Sequence, residues 1–231
     1  MLRNLISVFR GDMGFGDVLI GLCATAFVVF CTLPIHEYAH AWMSTRLGDD
    51  TARLSGRLTI NPLAHLDPIG AIMIFLVGFG YAKPVPVNIR NFKNRKRDMA
   101  LTALAGPVSN LIMALFFVVL VYVFILIYYK TGSTNRIFAI CYSFFSFAAS
   151  ININLAVFNL LPVPPLDGSR IAALLIPDRY YYKIMQYERY IMIAILVLLF
   201  TGALTTPLAL LSGAVENMFY FIVGLPFGFR V

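Results

Sequence analysis

Charge is scarce in this chain. Only 13% of its 231 residues are Asp, Glu, Lys or Arg, 60% are hydrophobic, and mean hydropathy is +0.81. A water-soluble domain carries about a quarter charged residues, so composition alone excludes that class and implies a membrane protein. Cysteine is nearly missing too: Cys23, Cys31 and Cys141 all lie in apolar runs with no CxxC spacing. They imply neither a disulfide framework nor a thiolate metal cluster, and read as small packing hydrophobes. The opening stretch MLRNLISVFRGDMGFGD lacks the ordered charge, apolar core and cleavage site of a secretory signal. It reads as an amphipathic lead-in kept in the mature protein. The net charge of +7 does not imply nucleic acid, because the basic residues sit in short connectors between apolar runs, where they set topology and meet anionic headgroups.

Long apolar runs are what the chain has in place of charge. The first extends from about Val18 to Leu33 and on towards Leu47, enough to cross a hydrocarbon core of about 30 Å at 1.5 Å per residue. Met99 to Tyr129 and Phe138 to Leu161 make a second and third, and Tyr190 to Leu204 with Leu208 to Leu225 make a closing hairpin. The expected fold is an all-α polytopic membrane protein of about five transmembrane helices, forming one membrane-embedded domain over residues 1–231. Its core falls at about 18–170 and the C-terminal helical hairpin at about 188–225. Ile69 to Tyr81 is apolar but short and glycine-punctuated, which suits a re-entrant or interfacial element. Alternation at Ala52, Leu54, Leu58 and Ile60, and again at Val85, Val87 and Ile89, predicts two short β segments paired as a small membrane-associated hairpin or sheet.

One stretch breaks the apolar pattern in a way that carries chemistry. In CTLPIHEYAHAW, His36 and His40 are four residues apart, so on a helix both imidazoles share a face, with Glu37 beside the first. This is H-E-x-x-H. Two neutral imidazoles suit Zn²⁺, which acidifies a water, and the glutamate can take that water's proton; the reaction implied is peptide hydrolysis. The chain has three His and three Glu in all, and ionisable groups seldom enter apolar helices without function, so accidental assembly is disfavoured. Pro34 can loosen the helix just before the motif.

A catalytic zinc takes three protein ligands and keeps one position open. The metzincin arrangement, with a third His six residues on, is excluded because that position is Arg46. His65 is the remaining histidine, in a polar connector. Asp167 sits in a proline-rich break, LPVPPLDGSR, after the third apolar run, where the same residues also suit an ordinary turn with Asp as a local acceptor. Topology brings Asp167 to the side of the His pair. If residues 46–98 lie in the cytoplasm, the connector at 162–189 falls there too; nine basic residues from Arg46 to Arg97 and four from Arg170 to Arg189 then face two in the turn at 130–136.

HEYAH, NPLAHLDPIG, KPVPVN, AGPVSN and FNLLPVPPLDGSR, in this order, resemble the site-2 protease family of intramembrane zinc metalloproteases, specifically its compact bacterial and archaeal members without a PDZ domain. The likeness spans about 18–170, and the pairing of the two terminal motifs is highly specific. The resemblance implies His36, His40 and Asp167 as ligands of one Zn²⁺, Glu37 as general base, and Asn159 as a residue that steadies substrate or the developing oxyanion. Asn110 also matches a family position, although helix packing beside Gly106 accounts for it as well. The function implied is hydrolysis of peptide bonds within or near transmembrane segments, in regulated intramembrane proteolysis or clearance of membrane remnants. Partners would be single-span membrane proteins and the lipid bilayer, without nucleic acid. The protein would be multi-pass in the cell membrane with its active site toward the cytoplasm, its oligomeric state left open. A polytopic ion or metal transporter using the His/Asp cluster is the alternative, since intramembrane ionisable groups also mark ion paths; no repeated half supports it.

Overall fold

The computed structural model describes residues 14–68, 70, 72, 83–132 and 135–227. The first apolar run is one continuous path of helix: α1 (Phe15–Phe27), a π-helical turn (Val28–Thr32) and α2 (Leu33–Arg46). Pro34 explains the π turn. It has no N–H to donate and its ring crowds the carbonyl four residues back, so the ladder widens and the Leu33 N–H reaches Val28 O instead. Gly48, at φ +105°, then turns the chain out of α2.

α3 (Thr51–Leu54) and α4 (Pro62–His65) are single turns in the connector. α5 (Arg95–Thr131) and α6 (Arg136–Asn159) form the central hairpin, and α7 (Asp167–Ala172) and α8 (Asp178–Met185) follow the proline-rich break. α9 (Glu188–Phe200) and α10 (Thr205–Gly224) close the chain. The core lies where α5, α6 and α10 meet. Phe117 sits between Phe27, edge-on at 5.9 Å, and Phe145, stacked at 6.2 Å, while Tyr122 Oη donates to the Tyr220 carbonyl at 2.8 Å.

Four helical stretches are long and apolar enough to cross a membrane: Phe15–Arg46, Arg95–Thr131, Arg136–Asn159 and Thr205–Gly224. Only 28–39% of their most apolar windows is buried within the protein. Ile112, Phe116 and Leu210 are among the large side chains left outside. An apolar surface of this extent belongs in lipid, and the protein is an all-α, multi-pass membrane protein. The expected five spans become four among the described residues, because α9, at 13 residues, is about 20 Å long and short of the core thickness.

The expected β-hairpin is also absent. Among the described residues there is no strand: Thr51–Leu54 is helical, and neither 55–60 nor 83–88 carries a ladder. Two physical reasons are visible. Asp49 accepts from the Thr51 N–H at 3.2 Å and starts a helical turn where alternation suggested a strand. Pro84 and Pro86 then remove every second donor from the partner segment. The two connectors are joined by other means. Arg57, buried, donates to the carbonyls of Ala64, Lys83 and Pro84, and the Lys83 N–H donates to His65 O at 2.8 Å. The lead-in at residues 1–13 lies outside the described residues, and so does the proposed re-entrant element at 69–81 apart from Gly70 and Ile72.

Candidate metal centre

α2 places His36 and His40 one turn apart, both buried, with Nε2 atoms 3.0 Å from each other. Asp167 comes from the start of α7, more than a hundred residues later. Its Oδ2 lies 3.4 Å from His36 Nε2 and 3.3 Å from His40 Nε2. Among the described residues these three form the only cluster of metal-ligating side chains. A tetrahedral ion with bonds of about 2.0–2.2 Å requires ligand atoms about 3.3–3.5 Å apart; both sides of the triangle that run to Asp167 match this, and the imidazole–imidazole side, at 3.0 Å, is slightly shorter. The hydrogen bonding agrees. His40 Nδ1–H donates to the Thr102 carbonyl at 2.7 Å, which leaves the Nε2 lone pair facing the other two donors.

α5 makes this convergence possible through a residue without a side chain. A methyl group on Gly106 would overlap the His40 ring and stand 2.6 Å from His36 Cε1. Glycine is required here for close approach and not for its backbone dihedrals. Gly168 does the same for Asp167: a side chain would collide with the carbonyls of Leu160 and Leu161 at the end of α6. In sequence terms LPVPPLDGSR suits a turn and Gly106 suits helix packing. Their signal was present in the AGPVSN and LDGS motifs, but which atoms they admit is a tertiary fact. Thr102 left no signal, since it acts through its carbonyl.

The cluster opens into a cavity of about 370 Å³ whose lining includes Glu37 and Asn159. Glu37 is buried one position after His36, and Asn159 is the last residue of α6. Pro84, Val85 and Val87 form another part of the wall, with Arg170 and Glu188 at other points of the lining. His65 lies outside the ligand triangle. It is fully buried in the connector, with Nε2 2.7 Å from Thr59 O. Its role is to hold the loop that backs residues 83–88. Asp49 anchors the far end of that wall, accepting from Thr51 Oγ1 at 2.5 Å, the Asn88 N–H at 2.8 Å and Asn91 Nδ2 at 2.7 Å. Burial pushes the Asp49 carboxyl up, and these donors together outweigh it, holding the group below its ordinary value.

The family profile of peptidase family M50 matches residues 24–201. YwhC of Bacillus subtilis (strain 168), named as a candidate zinc metalloprotease, is 45% identical over 173 residues, covering 72% of this chain and 75% of YwhC. Rip2 of Mycolicibacterium smegmatis, named in the same way, is 30% identical over 142 residues, 59% of this chain and 51% of Rip2. MJ0611 of Methanocaldococcus jannaschii, also so named, is 32% identical over 103 residues, 45% of this chain and 48% of that one. No solved structure matches the chain. Nothing in these likenesses supports an ion transporter. Two helix-borne imidazoles, a distant carboxylate of matching geometry and a profile covering most of the sequence agree, and the chain belongs to peptidase family M50.

Proposed function

We propose that the protein is an intramembrane zinc metalloendopeptidase in which His36, His40 and Asp167 hold one Zn²⁺, Glu37 is the general base and Asn159 steadies the scissile carbonyl. The carrying observation is the meeting of Asp167 Oδ2 with both imidazoles at 3.3 and 3.4 Å. When bound, zinc supplies Lewis acidity that acidifies water and polarises a carbonyl. Glu37 takes the proton from the attacking water on its carboxylate and returns it to the leaving amide nitrogen. The Asn159 Nδ2 amide donates toward the oxygen where charge develops. Thr102 O holds the His40 ring in the tautomer this needs.

Substrates on this reading are single-span membrane proteins, cut in regulated proteolysis or remnant clearance. A membrane helix ties up its own N–H and C=O groups and must be unwound before cleavage. Residues 83–88 suit the unwound strand. Pro84 and Pro86 have no N–H, so that edge is silent, while Val85 and Val87 line the cavity and neither N–H is engaged among the described residues. Strand addition along Val85 and Val87 supplies backbone bonds without demanding a sequence. Changing both to Pro should abolish cleavage while zinc content persists; cleavage at the wild-type rate would refute this docking role. Residues 18–170 act as the catalytic core and 188–225 as the C-terminal helical hairpin; access for substrate calls for movement of that hairpin or of the 69–81 element. The positive-inside bias supports a centre facing the cytoplasmic side of the cell membrane.

The test is direct. The purified protein in detergent, given a single-span substrate, should cleave it, lose activity to a zinc chelator, and regain it on adding zinc. Cleavage indifferent to the chelator overturns the assignment.

A further inference from the structure

Asn110 and His36 share a defect. Asn110, on α5, is 1% exposed and among the described residues neither its amide oxygen nor its amide nitrogen has a partner; His36, on α2, is 3% exposed and its Nδ1 likewise has none. Unpaired buried polar groups are costly, more so away from water. Other asparagines in these helices show the usual escape. Asn152 and Asn154 each turn the amide N–H onto the carbonyl four residues back, both at 2.8 Å. For Asn110 that carbonyl belongs to Gly106, and it accepts from Ser109 Oγ at 2.7 Å instead.

Position suggests what Asn110 serves. Gly106 lies one turn before it on the same face of α5. A Cβ at Gly106 would stand 2.6 Å from His36 Cε1, the ring carbon between Nδ1 and Nε2. Helical side chains lean toward the N-terminus, so the Asn110 amide reaches over the notch that Gly106 leaves open. Both orphaned groups therefore lie toward this notch, and since they do not bond each other directly, a single buried water is what can join them.

The geometry points to Asn110 as a positioning residue for His36: its amide oxygen accepts from a buried water that in turn accepts from Nδ1–H, which turns Nε2 toward the ion. This rests on the zinc site proposed above. It gives the imidazoles a matched outer shell, with Thr102 O behind His40 and Asn110 behind His36. A pure packing role for Asn110 makes a different forecast, because an apolar residue of similar shape should then serve equally well.

Zinc affinity of the wild type, Asn110→Leu and Asn110→Asp is measured in detergent by competition with a chromophoric chelator, alongside thermal unfolding of the zinc-free proteins. Asn110→Leu should bind zinc about 10–100-fold more weakly with no loss of zinc-free stability. Asn110→Asp, which keeps an acceptor, should bind close to wild type. Equal affinity in Asn110→Leu overturns the proposal, as does an Asn110→Asp protein as weak as Asn110→Leu. Failure of the underlying site looks different, for then the wild type itself binds no zinc, or His40→Ala binds it as tightly. Should Asn110→Leu not fold, ¹⁵N-histidine spectra of the wild type decide, with three histidines to resolve. Slow solvent exchange at His36 Nδ1–H supports the bond, and exchange at the rate of a free imidazole overturns it.

Discussion

Between residues 98 and 110, α5 buries Asp98, Thr102 and Asn110 among the small residues Ala100, Ala103, Gly106 and Pro107, whereas from 114 to 122 the same helix buries Ala114, Phe117, Val118, Val121 and Tyr122. One end faces two histidines of α2 and the other faces phenylalanines of α1 and α6. The helix is continuous, so the contrast reflects what each end must do. Apolar packing is sufficient to hold membrane helices together. Polar groups taken out of water are costly and persist where chemistry needs them, so the clustering of those on α5 toward α2 marks the working end of that helix. In this frame the aromatic end is scaffold, and the glycine-notched end is machinery.

The sharpest test of that division removes chemistry while leaving packing. Glu37→Gln should keep zinc and lose cleavage by about 10²–10⁴-fold, the usual share of a general base, whereas His40→Ala should lose both. A Glu37→Gln protein that cleaves at the wild-type rate excludes the proposed base. Next in size is a methyl group at the notch. Gly106→Ala should lower zinc retention and activity severely, because the rings it meets are the ligands themselves, while Gly213→Ala, with nothing within 4 Å, should be neutral or slightly stabilising. Equal zinc retention in the two variants would place the notch outside the machinery.

At the scaffold end the readout should invert. Phe117→Ala should lower the unfolding temperature in detergent and leave zinc stoichiometry intact. Its cost should fall below the ~3–5 kcal/mol typical of Phe→Ala in a water-soluble core, since lipid-facing alternatives are themselves apolar. Loss of zinc with no loss of stability would reverse the assignment of the two ends.

The smallest effect concerns the cavity wall. Asp49 has a lowered folded-state pKa, so its contribution to stability is present above the unfolded value and is lost as pH falls through the folded one. Thermal unfolding followed below about pH 4 should therefore steepen with acid in the wild type and less so in Asp49→Asn. Identical slopes would show that the Thr51, Asn88 and Asn91 contacts do not hold the wall.

Much of this was legible before any coordinates. The membrane class followed from scarce charge, and His36, Glu37 and His40 from spacing, because a 3.6-residue period fixes which side chains share a face. Connectors read less well. Alternation at 52–60 and 85–89 suggested strands, yet it records only which residues turn inward, and a carboxylate at Asp49 with prolines at 84 and 86 redirected the backbone bonds to side chains. Tyr190 to Leu204 read as a span by hydropathy, while the helix that forms there is too short to cross.

By itself, then, the sequence determined the solvent, the paired imidazoles and the glutamate beside them, because composition and helical period act locally. Only the tertiary structure decided that Asp167 closes the triangle, that Gly106 is the opening through which α5 approaches both rings, and that Thr102 lends a carbonyl. Those contacts join segments scores of residues apart, and no local pattern encodes the crossing of two helices that brings them within bonding distance.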